Sequence, residues 1–154
     1  VDREKNRDQF LEYVANRLVW PSYLSCDYVL QKYGLLTEAI FGITSVTPKS
    51  TRTFENEMGS FKFYSVSPRL FTGFVEKPYG GNTILIASRA KALFDYIYLR
   101  QYLFSDFTKN EVEELRIHQD ALTGKDKSEI RKWFRLCPAR KMRLIFECLN
   151  NNWG

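Results

Sequence analysis

His118 is the only imidazole in the chain, so general-base chemistry near neutral pH would have to start there. It falls near the end of a predicted helix among polar neighbours, where an exposed or capping histidine is expected. Metal-assisted phosphodiester cleavage is the other chemistry that a small basic chain invites. It needs an acid, then an acid two residues before a lysine, on adjacent strands that place metal and water. No Asp-x-Lys, Glu-x-Lys or Gln-x-Lys occurs. Glu55 and Glu57 have the spacing of one strand face, but they sit at a predicted turn and read as solvated charges. Cys26, Cys137 and Cys148 are too few and too scattered for a disulfide framework or a zinc site. No G-x-S-x-G, P-loop or G-x-G-x-x-G is present, and Gly80-Gly81 reads as a loop. The residue types therefore predict a protein that is not an enzyme, with no catalytic residue, metal, cofactor or small-molecule substrate.

Basic side chains are the remaining functional candidates. Net charge is +5, and residues 125 to 154 hold eight Lys or Arg against three acids, while the rest of the chain balances. Arg131, Lys132 and Arg135 oppose the apolar stripe of one predicted helix, and Lys141 and Arg143 do so on the next. Arg140 and Lys127 extend the cluster. Cations gathered on one face can neutralise phosphates with salt-dependent affinity; the alternative is a pair of ordinary solvated helix faces. A second candidate is the loop Pro48-Lys49-Ser50-Thr51-Arg52, where Lys49 and Arg52 with neighbouring hydroxyls suit phosphate contact. A plain polar hairpin would look the same.

The elements that must position these residues follow from periodicity and punctuation. Residues 3 to 18 read as a polar helix with Phe10, Leu11, Val14 and Leu18 as its stripe, and Pro21 forces it to stop before Trp20. Ser25 is placed to cap a helix over 26 to 33 whose stripe is Cys26, Val29, Leu30 and Tyr33, closed by Gly34. A turn opened by Thr37 and closed by Gly42 leads to strands at 43–47, 51–56, 60–67, 70–76 and 83–87. Their short connections favour an antiparallel meander, because parallel crossovers ordinarily need a dozen residues or more. Ser88 can cap a helix to about Leu103, with Leu93, Tyr96, Ile97 and Arg100 on one side. Thr108 with Glu111 has capping-box spacing, and Asp126 with Glu129 repeats it. Ile130, Trp133, Phe134 and Cys137 form one stripe; after Pro138, Met142, Ile145, Phe146 and Leu149 form the last.

Strands followed by helices argue for α+β. The expected architecture is a short antiparallel sheet of four to five strands, flanked by N-terminal helices and followed by a C-terminal helical bundle. At 154 residues, 44% apolar and 16% aromatic, the chain is expected to form a single domain over 1–154 with a real core. No run approaches a membrane span, and the charged start lacks the form of a signal peptide. A cytoplasmic location and no membrane partner are the expectations.

One stretch also carries a family signature. Tyr13–Asn16, Pro21-Ser22-Tyr23-Leu24-Ser25, Tyr33-Gly34-Leu35-Leu36, Glu38 and Ile43–Thr47 occur in order. They are followed by Phe54, Gly59–Tyr64, Leu70-Phe71-Thr72-Gly73, Ile86-Ala87, Lys91-Ala92-Leu93 and Asp95. The set resembles the AbiEi family of abortive-infection antitoxins from type IV toxin–antitoxin systems. It spans about residues 13 to 100, so 13–104 would be the AbiEi-like core and 105–154 the basic helices packed on it. Where the family has Pro-Glu ahead of Lys-Ala-Leu, this chain has Arg89 and Ala90, which puts a charge-dependent contact at that helix start in question.

The resemblance implies a non-enzymatic antitoxin domain that counteracts a nucleotidyltransferase-like toxin and assists transcriptional autorepression. The matching part is the family's C-terminal domain, and the segment before Tyr13 is too short for its winged helix. The resemblance does not imply a tight toxin complex. A different reading from the residues alone is a stand-alone nucleic-acid-binding domain, with DNA as a possible partner of the basic helices.

Overall fold

Residues 2–38 and 41–153 are described by the computed structural model, so the turn expected between Thr37 and Gly42 lies partly outside the described residues. The opening helix, α1 (Asp2–Leu18), stops ahead of Trp20-Pro21 as the proline requires. Its buried face is not the expected stripe. Glu12, Ala15, Asn16 and Val19 are buried at i, i+3, i+4 and i+7, whereas Phe10 and Leu18 are exposed and Leu11 and Val14 only half-buried. The helix is rotated because its two buried polar residues have partners. The Asn16 amide bonds both backbone groups of Leu85, accepting from its N–H at 2.7 Å and donating to its carbonyl at 3.3 Å. Glu12 meets Tyr28 Oη and Lys32 Nζ at 2.6 Å each, and Lys77 Nζ at 3.6 Å. Apolarity alone could not set the phase of this helix.

The class is α+β, with helices flanking a six-stranded mixed sheet and further helices after it. The strands are β1 (Tyr23–Leu24), β2 (Ile43–Thr47), β3 (Arg52–Asn56), β4 (Gly59–Ser65), β5 (Phe74–Tyr79) and β6 (Asn82–Ala87). Their order is β3-β4-β2-β1-β6-β5. This corrects the expected antiparallel meander of four to five strands. β2 and β4 run parallel, as do β1 and β6. No crossover helix is needed, because β3 lies beyond β4 and the chain returns through it. Four residues, Pro48 to Thr51, separate β2 from β3; at ~3.3 Å each they span about 13 Å, enough to step over one strand. β2 is buried at all five positions, covered on both faces.

The expected strand over 70–76 is also displaced. Pro68–Leu70 form a 3-10 turn capped by Ser67, and β5 begins only at Phe74. β5 runs through Pro78, which an edge strand tolerates where no ladder hydrogen bond is lost.

In α2 (Cys26–Lys32) the capping differs from expectation. Ser25 occupies the N-cap but turns its hydroxyl elsewhere. Thr44 of β2 substitutes, accepting from the Tyr28 N–H at 3.0 Å and donating to the Ser25 carbonyl at 2.6 Å. Gly34 closes the helix at φ +72°.

α3 (Arg89–Leu99) is capped by Ser88 as expected and is buried continuously from Ala90 to Ile97. The expected one-sided stripe is therefore too narrow: α2 and α5 pack on it, with β6 at its start. α4 (Lys109–Glu114) carries the expected Thr108–Glu111 capping box. α5 (Gly124–Leu136) has one too, shifted three residues, with Thr123 as cap and Asp126 answering it. Its stripe of Ile130, Trp133 and Phe134, with Cys137 just beyond, is buried, as are Met142, Ile145 and Leu149 of α6 (Arg140–Asn152).

Glu111 supplies a prediction on pH. The backbone N–H groups of Ser105 and then Thr108 hold its carboxyl at about 2, below the ordinary 4.5. A depressed carboxyl stabilises the fold above its ordinary value, and that contribution is lost as pH falls from there through about 2. Thermal melts of Glu111→Gln should therefore lie below wild type at pH 7, with the gap closing between pH ~4.5 and ~2. A gap independent of pH would contradict this.

Candidate functional site

Four signature residues from distant parts of the chain meet in the core. Lys91 and Asp95 stand one turn apart on α3, and Tyr23 and Ser25 flank Leu24 at the end of β1. Lys91 is 0% and Asp95 1% exposed. Lys91 Nζ donates to Asp95 Oδ1 at 2.7 Å, to the Leu70 carbonyl at 2.8 Å and to Tyr23 Oη at 2.9 Å. Asp95 Oδ2 accepts from Ser25 Oγ at 2.7 Å and from Tyr23 Oη at 2.8 Å. The ammonium also lies 5.4–5.6 Å from the ring centres of Tyr23, Phe94 and Trp133.

A lysine, an aspartate, a tyrosine and a serine in one cluster resemble an acid–base constellation. The geometry argues otherwise. An ammonium has three donors, and all three are used; both hydroxyl protons are given to Asp95. Burial pushes the Asp95 carboxyl up, against the pull of Lys91 and then of the serine and tyrosine donors. Burial also drives the Tyr23 hydroxyl far above its ordinary range. Nothing in the cluster is left to bind or activate a ligand. It ties α3 to β1 and to the turn at Leu70, so it reads as scaffold.

Cys26, beside it, is fully buried with its thiol pushed well above its ordinary value by burial. Such a thiol is a poor nucleophile. Cys137 is also buried, and Cys148 is half-buried with Sγ 3.2 Å from the Phe107 carbonyl; all three are free. His118 is exposed at the N-cap position of a 3-10 turn over Gln119–Ala121, and its side chain makes no capping hydrogen bond. Glu55 lies within β3, exposed and one residue before its end, rather than at a turn as expected, and Glu57 lies in the β3–β4 turn. Among the described residues no group of three His, Cys, Asp or Glu could hold a metal ion.

The basic residues form a surface, divided into parts. Lys125, Ser128, Lys132 and Arg135 line one side of α5, around an open depression of about 660 Å³ that Glu129 and Leu136 complete. Lys132 and Arg135 are exposed, and the Lys132 ammonium lies 5.0 Å from the Trp133 ring centre. Arg131 points away from them, donating to Asn150 Oδ1 of α6 at 3.2 Å. Arg143 is seven residues before Asn150 and so shares that flank, facing α5. Lys141 is seven residues before Cys148, whose sulfur meets Phe107, so it belongs to the opposite flank near α4. Arg140 is exposed at the start of α6.

Lys49 and Arg52 are separate from all of these. Both are exposed, and Arg52 Nη2 donates to Ser50 Oγ at 3.0 Å. β3 packs on β4, whereas α5 packs on α3 and α6. The eight expected residues thus do not form one patch. Lys125 joins Lys132 and Arg135, and its i, i+7 spacing to Lys132, opposite the apolar stripe, marks it in the sequence.

No family model, curated protein or solved structure matches the chain.

Arg89 makes a charged contact at the start of α3. It pairs with Asp126 at 3.1 Å, donates to the Ala121 carbonyl at 3.0 Å and lies over the Tyr33 ring. Burial raises the Asp126 carboxyl, but the Thr123 N–H and Arg89 outweigh it and leave the group below its ordinary value. This pair joins the start of α3 to the start of α5. None of Lys125, Lys132, Arg135, Arg140 or Arg143 has a salt-bridge partner among the described residues.

Proposed function

We propose that this chain is the antitoxin-type domain of a type IV toxin–antitoxin system, acting by surface binding without a reactive centre. The observation that carries the reading is the ordered AbiEi-like signature over about residues 13 to 100. It gains support from the way Tyr23, Ser25, Lys91 and Asp95 converge in one buried network, as residues that define a scaffold would. The functional partner is a nucleotidyltransferase-like toxin, counteracted with or without direct contact, and the domain assists repression of its own operon. A cytoplasmic location goes with this role. Among the described residues no helix is long and apolar enough to cross a membrane. Co-expression with a nucleotidyltransferase-like toxin should rescue growth. A soluble, folded domain that fails to rescue would sink the reading.

A second reading, a stand-alone nucleic-acid-binding domain, is favoured by one observation: the outer side of α5 presents Lys125, Lys132 and Arg135 without ion-pair partners among the described residues. Removing one cation that neutralises a phosphate should reduce the steepness of log affinity against log salt by about 1. The Lys125→Ala, Lys132→Ala and Arg135→Ala triple variant should therefore lose about three units of slope on duplex DNA if all three touch phosphate. An unchanged slope in a binding titration would remove these residues from the interface.

A further inference from the structure

The two edges of the sheet are protected differently. At one edge, the two-residue turn Gly80-Gly81 makes Tyr79–Asn82 a hydrogen-bonded pair, and alternate pairs along β5 and β6 follow suit. Pro78 then falls where the backbone of β5 faces outward, and an incoming strand finds no donor there. β5 also carries Lys77, paired with Glu12 of α1. At the other edge, β3 contains neither proline nor lysine. Its turn, Glu57-Met58, makes Asn56–Gly59 the hydrogen-bonded pair. Arg52, Phe54 and Asn56 therefore bond to β4, and the N–H and carbonyl of Thr53 and Glu55 point outward.

Charges along this open edge are sorted about Phe54. Lys49 and Arg52 precede it; Glu55 and Glu57 follow it. Charged side chains usually discourage edge pairing. Here the sorting makes the edge complementary to its own reverse. An antiparallel second copy brings its acidic end beside the basic end of the first, twice over by symmetry, whereas a parallel copy would set like charges together. Arg52 and Glu55 point to opposite faces of the strand, so the attraction acts between the ends and not between directly opposed residues. The register that uses every outward group pairs Thr53 with Glu55 of the second copy in both directions. It also brings the two Phe54 rings side by side. Phe54 is half-buried, edge-on to Phe63 at 5.9 Å, and a second copy would cover what remains.

We propose that β3 is a homodimerisation edge, pairing antiparallel with β3 of a second copy to extend the sheet across a two-fold axis. The contact is isologous, so it closes after two copies and does not propagate. It assigns Lys49 and Arg52 to the contact between copies, apart from the basic helices.

Sedimentation of the full chain over a range of concentrations tests this. Wild type should show a monomer–dimer equilibrium. The E55K/E57K variant places like charges along both ends and should weaken the dimer by roughly a hundredfold. The K49E/R52E/E55K/E57K variant reverses both blocks, restores complementarity and should restore the dimer. Thr53→Pro removes an outward N–H without touching the β4 ladder, as Pro78 does on the opposite edge, and should be monomeric with an unchanged circular dichroism spectrum. A wild type that stays monomeric at every concentration overturns the proposal. So does a dimer untouched by both Thr53→Pro and E55K/E57K, or a folded fourfold variant that stays monomeric.

Discussion

Lys91→Met should destabilise the protein by about 3–5 kcal/mol, the usual cost of removing one partner from a buried ion pair. For a chain of this length that lowers the melting temperature by roughly 6–20 °C. The methionine fills most of the space of the lysine stem, so the loss comes from what is left behind. Asp95 would remain fully buried with only two hydroxyl donors, and the Leu70 carbonyl would lose its ammonium. The effect should depend on pH in a definite direction. Burial already raises the Asp95 carboxyl, and losing Lys91 raises it further. A carboxyl raised on folding favours the fold below its unfolded value, about 3.9, and that advantage is lost as pH rises through its folded value. The deficit of Lys91→Met should thus be smallest near pH 3–4 and grow toward neutrality. Chemical denaturation at several pH values checks this, and a deficit constant with pH would show that Asp95 is not left as an unpaired charge.

The same lysine makes Gly73 sensitive. Gly73 has φ +81°, and a Cβ there would lie 2.6 Å from Lys91 Cγ and 2.8 Å from both Lys91 Cδ and Trp133 Cζ2. A free lysine stem could swing aside, but this one is anchored at Nζ by three hydrogen bonds. Gly73→Ala should therefore cost about 1–2 kcal/mol for the left-handed backbone and a further 1–3 kcal/mol for overpacking. Gly34 gives the control: φ is +72°, and nothing lies within 4 Å of its added Cβ. Gly34→Ala should show only the backbone part. Equal losses from the two substitutions, measured by urea denaturation, would mean that the Lys91 stem yields.

Periodicity and caps found α3, α5 and α6 and the Thr108–Glu111 box, because in these places local propensity and burial agree. Phase failed in α1, where the core face carries Glu12 and Asn16 and its polar groups are matched only across the fold. The two-residue β1 left no periodic signal, yet it occupies the centre of the sheet. Parallel neighbours were illegible for a related reason: β4 slides between β2 and β3 through a tight turn, so short connections no longer imply antiparallel pairing.

The site was legible in part. The cations of α5 and α6 are visible as a charge excess, but their division among flanks depends on contacts to Asn150 and Phe107 from other elements. The core network was named by the signature without being seen as a network. Its members lie up to 72 positions apart, and a lysine and an aspartate four apart on a helix ordinarily read as a solvated pair.

The claim that joins these observations is that the buried cluster is scaffold and the work is done on the surface. Its most direct test replaces the cluster as a unit: Tyr23→Phe, Ser25→Ala, Lys91→Met and Asp95→Leu together. This removes both charges and their hydroxyl partners; the Leu70 carbonyl loses the ammonium but keeps the Thr72 N–H at 2.9 Å. Exchanging a buried ion pair for apolar residues is often neutral for stability. Growth rescue against a co-expressed nucleotidyltransferase-like toxin, the partner proposed above, is then measured for this variant and for wild type, with folding verified by circular dichroism. A folded variant that rescues as well as wild type is the predicted result. A folded variant that fails, beside a wild type that succeeds, would contradict the account and place function in the core.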